Sequence, residues 1–319
     1  MALIKTGSQK IIVIESRMRP TILIFGKNGQ LGKTIVSNLK EGFNVIKLTH
    51  ISKIFCGDFK NNKGIENTIN KISPDIIINA SAYTNVDQAE NQKKEAKQIN
   101  SSILKVIAGA AKKNNSLLIH FSSDYVYSGN GNRPWKERDI KKPVNYYGKT
   151  KLSGDKLIQL SKCNYIIFRT AWVYSLEKNN FLKTMIKLMK SKNKISVIND
   201  QIGSPTSTTT LSMYTSYAIN DYLKNRLSSK LINKTYNLTT DGFTSWYGFA
   251  VEIRKFLIKH GIKVTIKKIN PIPSNEYKQK AKRPLNSRLN KSKINKLFNL
   301  NLPKWQTDLG NTIKKINET

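Results

Sequence analysis

A doubly wound parallel α/β sheet with a second, smaller α/β unit is the fold class this sequence predicts. Three observations predict it. Short apolar runs alternate with amphipathic helical stretches through the first half of the chain, the first run opens directly into a glycine-rich turn and a helix, and the later runs are irregular and broken by Gly and Pro. Strands that are continuously apolar rather than alternating belong to a sheet covered on both faces, which is the parallel, helix-flanked kind.

The elements follow in order. "TILIF", from Thr21, reads as a strand, "GQLGKTIVSNLK" as a helix, and "FNVIKL" and "DIIINA" as two more strands. A long helix runs through "AKQINSSILKVIAGAAKKN" and is followed by the strand "LLIHFSS". After the strand "YIIFRT", Tyr165 to Thr170, the regularity loosens into a helix "NFLKTMIKLMKS", a short strand "ISVI", the loop "NDQIGSPTST", further helices, and isolated strands near "TYNLTT" and "RPLNSRL". The expected division places a cofactor-binding part in residues 18–168 with 232–240 and 285–300. A sugar-nucleotide side takes 169–231 with 241–284 and 301–319, and residues 1–17 stand apart as an extension ahead of Met18.

A formal net charge of +35 over 319 residues raises nucleic acid or an anionic membrane as a partner. The lysines are scattered among Asn and Ile, as in "KNNKGIENTINKIS", and form no stripe, so no specific nucleic-acid partner is expected. Cys56 and Cys163 are too few for a disulfide framework or a zinc site, which points to the cytoplasm. Runs such as "TILIF" fall far short of a membrane span. His50, His120 and His260 have no metal-site spacing and are expected to be structural or exposed; the sequence leaves a Mg2+ requirement open.

Gly26, Gly29 and Gly32 close the first strand in a GxxGxxG turn. Glycines let the backbone approach a pyrophosphate, and the following helix N-terminus offers N–H groups and a favourable dipole. The motif alone also suits a tight turn with no ligand; its place in a βαβ pattern favours a dinucleotide. "CGDF" brings Asp58 and Phe59 to the adenine end, the carboxylate taking the exocyclic amine and the ring stacking, although Asp58 serves equally well as a helix cap. No acidic residue follows the second strand to hold a ribose 2′-hydroxyl. Thr49 and His50 stand there with Lys47 and Lys53 nearby, which favours NADPH over NADH.

Ser122, Ser123 and Asp124 leave the carboxyl end of an apolar strand, where ligands bind in open α/β sheets. Downstream, "VNYYGKTKLSGDKL" sets Lys151 four residues after Tyr147, on one face of a helix. A phenol is a weak proton donor at neutral pH, and a neighbouring ammonium is expected to lower its pKa toward working pH. Ser123 is the hydroxyl placed to hold a substrate carbonyl. Each of these residues alone also suits a structural part, as half-buried ring, solvated face and strand-end cap. Their order along the chain favours chemistry.

From Met18 to about Leu309 the chain resembles the dTDP-4-dehydrorhamnose reductase family of extended short-chain dehydrogenases, in which the GxxGxxG spacing is found. The resemblance rests on "ILIFGKNGQLG", "CGDF", "DIIINASAYTNVDQAE", "FSSDYVYSGNG", "NYYGKTKLSG", "FRTAWVYS", "NFLKTMI", "DQIGSPT" and "RPLNSRL", in that order. It implies a Rossmann cofactor domain and hydride reduction of the C4 ketone of dTDP-4-dehydro-L-rhamnose, the last step of dTDP-L-rhamnose formation. It implies that Gly29, Gln30 and Leu31 touch the cofactor pyrophosphate, with Gly26 and Gly32 shaping the turn. Asp58 and Phe59 would hold the adenine end, and Ala82, Tyr83 and Thr84 would line the cofactor. Tyr147 and Lys151 would serve cofactor and chemistry, and Ser123, Asp124 and Trp172 the sugar. NADH is allowed beside NADPH, and so is a homodimer. The family commonly has Thr at the position of Ser123 and often His at that of Tyr83; neither departure removes a needed group. Two rivals stand beside this reading, a sibling nucleotide-sugar epimerase or dehydratase and a non-catalytic cofactor-binding regulatory subunit. Dehydratases typically carry an Asp-Glu pair where this chain has Asp124 and Tyr125, and a regulatory subunit needs no intact Ser123, Tyr147 and Lys151.

Overall fold

Alternate side chains of a strand point to opposite faces of its sheet, and here both faces are apolar, so helices must cover both. The computed structural model describes residues 19–39, 41–299 and 301–317; the extension expected over 1–17 lies outside the described residues. Six strands, β1 (Thr21–Phe25), β2 (Asn44–Leu48), β3 (Ile76–Asn79), β4 (Leu117–Ser123), β5 (Asn164–Thr170) and β6 (Lys234–Asn237), form an all-parallel sheet. Their order is β6-β5-β4-β3-β1-β2. The doubly wound fold class is therefore the observed one. The order reverses between β1 and β3, and the crevice beyond their carboxyl ends is where such sheets take ligands.

Ile22, Ile24, Ile76, Ile78, Leu117 and Ile119 face one core, closed by Ile35 of α1 (Gln30–Asn38) and by Leu211, Tyr214 and Ala218 of α6 (Thr208–Asn225). Leu23, Phe25, Ile77, Leu118 and Ile167 face the other. That side is covered by α2 (Asn62–Ile72), α3 (Ile103–Lys113) and α4 (Tyr146–Ser161). A third core gathers α5 (Phe181–Ser191), α7 (Trp246–Lys259) and α8 (Trp305–Lys314) around a parallel pair of strands, Lys194–Ile198 and Lys268–Ile272. Asn and Ser start many of these helices, as their short polar side chains predict. Asn61 accepts from the Gly64 N–H at 2.8 Å, Asn145 from the Gly148 N–H at 2.8 Å, and Ser245 from the Gly248 N–H at 2.9 Å.

Four local features differ from the sequence reading. The Lys/Asn-rich stretch before "DIIINA" is the helix α2, which sets Ile65, Thr68 and Ile69 inward and its lysines outward. The strand near "TYNLTT" is not isolated: it is β6, paired with β5 from Lys234↔Ile166 to Asn237↔Arg169. Near "RPLNSRL" only single bridges form, Ile202↔Asn286 and Trp135↔Leu289. The helix expected to run unbroken into α3 is interrupted by a π-helical turn, Gln98–Ser102. Such insertions re-aim side chains and recur at functional sites.

The π turn packs directly on the helix that carries Tyr147 and Lys151. A Cβ on Gly154 would lie 2.2 Å from the Asn100 carbonyl oxygen and 2.6 Å from Leu104 Cδ1, so only glycine lets the two elements meet. Gly154→Ala is expected to lower unfolding stability by about 1–3 kcal/mol, read from the denaturant midpoint. An unchanged midpoint would mean that this contact is not under the constraint described.

Candidate active site

Construction of the site starts at the end of β1. The Gly26 and Lys27 N–H groups donate to the Leu48 carbonyl at 3.0 and 3.2 Å, and the Gly29 N–H closes the turn on the Gly26 carbonyl at 2.9 Å. Gly26 has φ +85°, and a Cβ there would sit 2.6 Å from Ser81 Oγ. A Cβ on Gly32 would fall 2.1 Å from the Gly26 carbonyl oxygen. The turn thus needs glycine at both places, and Gly29 caps α1 without a side chain of its own. Gln30 and Leu31 follow in the first turn of α1. The Gln30 side-chain oxygen is engaged elsewhere, accepting from Ser175 Oγ at 3.0 Å and Asn180 Nδ2 at 2.8 Å.

At the adenine end the structure corrects one expectation. Phe59 is 5 % exposed and packs edge-on against Phe25, with ring centroids 5.3 Å apart. Its ring belongs to the core and has no free face on which adenine could stack. Asp58 is half-buried and accepts from the Lys60 N–H at 2.9 Å, while the cap of α2 is Asn61. Ala82, Tyr83 and Thr84 lie in the loop after β3. Asn100, on the π turn, clamps that loop: its Oδ1 accepts from the Tyr83 N–H at 2.9 Å and its Nδ2 donates to the Tyr83 carbonyl at 3.0 Å. The same Nδ2 donates to Thr150 Oγ1 of α4 at 3.1 Å.

Ser123 ends β4, Asp124 follows it, and both are buried. Ser123 Oγ donates to Asp124 Oδ1 at 3.1 Å and accepts from the Tyr125 N–H at 3.2 Å. Asp124 is pushed up to about 7 by burial, which outweighs the hydrogen bonds from Ser287, Ser123 and nearby backbone N–H groups. Tyr147 is half-buried as a residue and lies edge-on to Tyr125, centroids 5.6 Å apart. Burial of its hydroxyl raises its pKa, opposed by a hydrogen bond with Ser123 and reinforced by Asp124 and Tyr125. The lowering expected from a lysine neighbour is therefore not what this structure holds. The reason is where the lysine points. Lys151, 1 % exposed, donates from Nζ to the Phe121 carbonyl at 2.7 Å and stands 3.3 Å from His120 Nε2. Its own pKa falls to about 8 through burial, against the pull of Asp155.

Trp172, just beyond β5, has φ +50°, a conformation uncommon for a bulky residue. Its carbonyl accepts from the Thr206 N–H at 3.1 Å, and its ring stacks on Trp246 with centroids 3.6 Å apart. Gly203 makes room for it: a Cβ there would be 2.7 Å from the indole. Arg283 is held in an ion pair with Asp87 at 2.8 Å, and Arg288 Nη1 donates to Asn286 Oδ1 at 3.1 Å. Among the described residues no group of three or more His, Cys, Asp and Glu could hold a metal ion, and no helix is long and apolar enough to cross a membrane.

A family model described as RmlD substrate binding domain matches residues 18–318. The chain belongs to the RmlD family of dTDP-4-dehydrorhamnose reductases. The dTDP-4-dehydrorhamnose reductase of Salmonella typhimurium is 41 % identical over 285 residues, covering 89 % of this chain and 94 % of its own. That of Escherichia coli strain K12 is 40 % identical over 295 residues, covering 92 % and 97 %. The crystal structure of the Bacillus anthracis enzyme in complex with NADP superposes with a TM-score of 0.83 at 32 % identity, covering 95 % of this chain and 100 % of that one.

Within this RmlD-family site, Asn79 and Asn100 were not singled out by the sequence, and His120, read there as structural or exposed, is buried. Their partners come from other strands and helices, so no spacing along the chain marks them; the only local hint is that Asn79 and His120 are polar residues inside apolar runs. The carboxyl of Asp124 generates a test. Folded, it keeps its proton up to about 7, against an ordinary value of 3.8. The native state therefore binds more protons between those two values, and stability falls as pH rises across that window. Asp124→Asn is expected to remove this loss, so that its gain in unfolding free energy over the parent is larger at pH 8 than at pH 4 by on the order of a few kcal/mol. Equal gains at both pH values would contradict a carboxyl that holds its proton.

Proposed function

We propose that the chain reduces the C4 ketone of dTDP-4-dehydro-L-rhamnose to dTDP-L-rhamnose with NADPH, the closing reduction of dTDP-L-rhamnose formation. One observation carries the reading: in a chain of the RmlD family, Ser123, Tyr147 and Lys151 converge on the carboxyl end of β4, beside the glycine turn that opens α1. The residues present fit a dinucleotide. A backbone cradle that added Cβ atoms would fill lies against a helix whose N-cap is glycine, the usual seat of a pyrophosphate. When bound, the reduced nicotinamide supplies the hydride taken up by the ketone carbon.

The protein's own residues supply the rest. Gly26, Gly29 and Gly32 shape the turn, and the Gln30 and Leu31 N–H groups face the diphosphate. Asp58 and the Phe59 backbone bound the adenine end, with Ala82, Tyr83 and Thr84 along the nicotinamide half. Lys47 and Lys53 are exposed where a relative that prefers NADH would carry an acid, which supports NADPH. Tyr147, kept protonated by burial, gives its phenolic proton to the ketone oxygen as negative charge develops there. Ser123 holds the same oxygen by a hydrogen bond. Its hydrogen now points at Asp124 Oδ1, and a proton on that carboxyl reverses the bond and frees the serine hydrogen for the substrate. Lys151 stands one helical turn along from Tyr147, its amine bonded to the Phe121 carbonyl and facing His120. Trp172, on its stacked platform with Trp246, offers a face for the deoxysugar. In this reading the sugar-nucleotide side is drawn from residues 169–207, 241–284 and 301–317, whereas α6, expected on that side, packs on the cofactor sheet through Leu211, Tyr214 and Ala218.

Steady-state turnover with the dTDP-sugar and NADPH tests it, followed by loss of nicotinamide absorbance. Tyr147→Phe is expected to keep NADPH binding and to lose about 10²–10⁴-fold in kcat. Conversion of the sugar with no consumption of NADPH would favour the sibling epimerase instead, and a fully active Tyr147→Phe would remove the tyrosine from the mechanism.

A further inference from the structure

His120 lies next to Asn79 across the β3/β4 ladder, and both are 1 % exposed. Asn79 Nδ2 is 3.1 Å from His120 Nδ1, and His120 Nε2 is 3.3 Å from Lys151 Nζ. The orientation of the asparagine is decided by the backbone: the Ser81 N–H donates to Asn79 Oδ1 at 3.0 Å, so the amide turns its NH2 toward the ring. Nδ1 of His120 must then accept. Burial, with the neighbouring lysine, drives the imidazole well below its ordinary pKa, so the ring is neutral and its single proton sits on Nε2. The lysine amine therefore faces an N–H donor on one side and the Phe121 carbonyl on the other. An ammonium would set hydrogen against hydrogen on the imidazole side; an amine would set its lone pair there.

We propose that His120, fixed by Asn79 in its Nε2–H tautomer, is a positioning residue that holds Lys151 ready to give up and regain a proton behind Tyr147. The proposal rests on the reading in which Tyr147 protonates the ketone oxygen and must afterwards recover its proton. No bond other than N–H and O–H changes: the phenolate gains a proton relayed through an intervening hydroxyl or water, because Nζ itself bonds the Phe121 carbonyl and faces His120, and Lys151 loses one proton and recovers it from solvent. The charged groups around the amine are few. Asp155, on the same helix, favours the ammonium, but its carboxylate is bound 3.0 Å from the Arg169 guanidinium of β5. His120 faces it from β4, and Asn79 of β3, behind the ring, carries no charge. Burial brings Lys151 down to about 8, against the pull of Asp155.

Asn79→Asp reverses the tautomer at constant shape. One carboxylate oxygen still accepts from Ser81, the other accepts from Nδ1–H, and Nε2 becomes an acceptor for the ammonium. The full-length protein labelled with 13C-lysine is titrated by NMR, with Lys151→Met identifying the signal. The midpoint of Lys151 is expected to rise by about one pH unit or more in Asn79→Asp, and the basic limb of the kcat profile to move with it. The added charge alone would also raise the midpoint, so the same change is made in a His120→Phe background, where the shift is expected to be clearly smaller. Equal shifts in both backgrounds, or none in either, would overturn the proposal. If Asn79→Asp does not fold, His120→Phe alone decides: an unchanged Lys151 midpoint would sink the proposal, and a moved midpoint with reduced kcat would support it. The NMR readout needs no substrate, so a chain that failed to reduce the dTDP-sugar would count against the reductase reading and leave this one standing or falling separately.

Discussion

The head group of Lys151 is taken out of water, and the elements around it are arranged to make that tolerable. A buried ammonium costs several kcal/mol unless it is bonded or gives up its proton. Here both devices operate. The Phe121 carbonyl accepts one hydrogen at 2.7 Å, and burial brings the pKa down to about 8 from 10.5. Between those values the unfolded chain binds more protons than the native one, so this lysine costs stability below about 8 and the cost fades as pH rises. A stability penalty maintained at neutral pH is what a working group in a cleft looks like.

The constraint spreads through contacts that tie separate elements to one another. Asn100 joins the loop after β3 to α4, and Gly154 lets the π turn carrying Asn100 approach that helix. Ser81 leads from the glycine turn, where it lies against Gly26, through Asn79 and His120 to the lysine. The far side of the cleft is anchored to the same frame. Gln30 binds Ser175 and Asn180, Asn145 Nδ2 donates to the Lys282 carbonyl at 2.8 Å, and Arg283 pairs with Asp87. Each tie joins parts of the chain far apart in sequence across the region of the candidate site.

Much of this was legible in the sequence, and the parts that were not share a cause. Strands such as "TILIF" and "LLIHFSS" declare themselves because both faces are buried, and the glycine turn and the Tyr147/Lys151 pair declare themselves because their geometry is local. The helix α2 was hidden by Lys and Asn on its solvent face, which diluted the inward set of Ile65, Thr68 and Ile69. β6 is only four residues long and is defined by its pairing with β5. Phe59 looked like a ligand platform because a loop aromatic reads as exposed, yet it fills core space against Phe25. The direction of the Tyr147 shift was misjudged for the same reason: four residues of spacing put a lysine on the same helix face, but cannot say that its ammonium turns to Phe121 and His120. Long-range partners decide these cases.

The most direct measurement of the account is the stability of Lys151→Met at pH 7 set beside its turnover. A buried cation kept for chemistry predicts a variant whose denaturant midpoint is higher than the parent's while its reduction of the dTDP-sugar is lost. A variant less stable than the parent, with turnover retained, would mean that Lys151 holds the fold together and takes no part in the reaction.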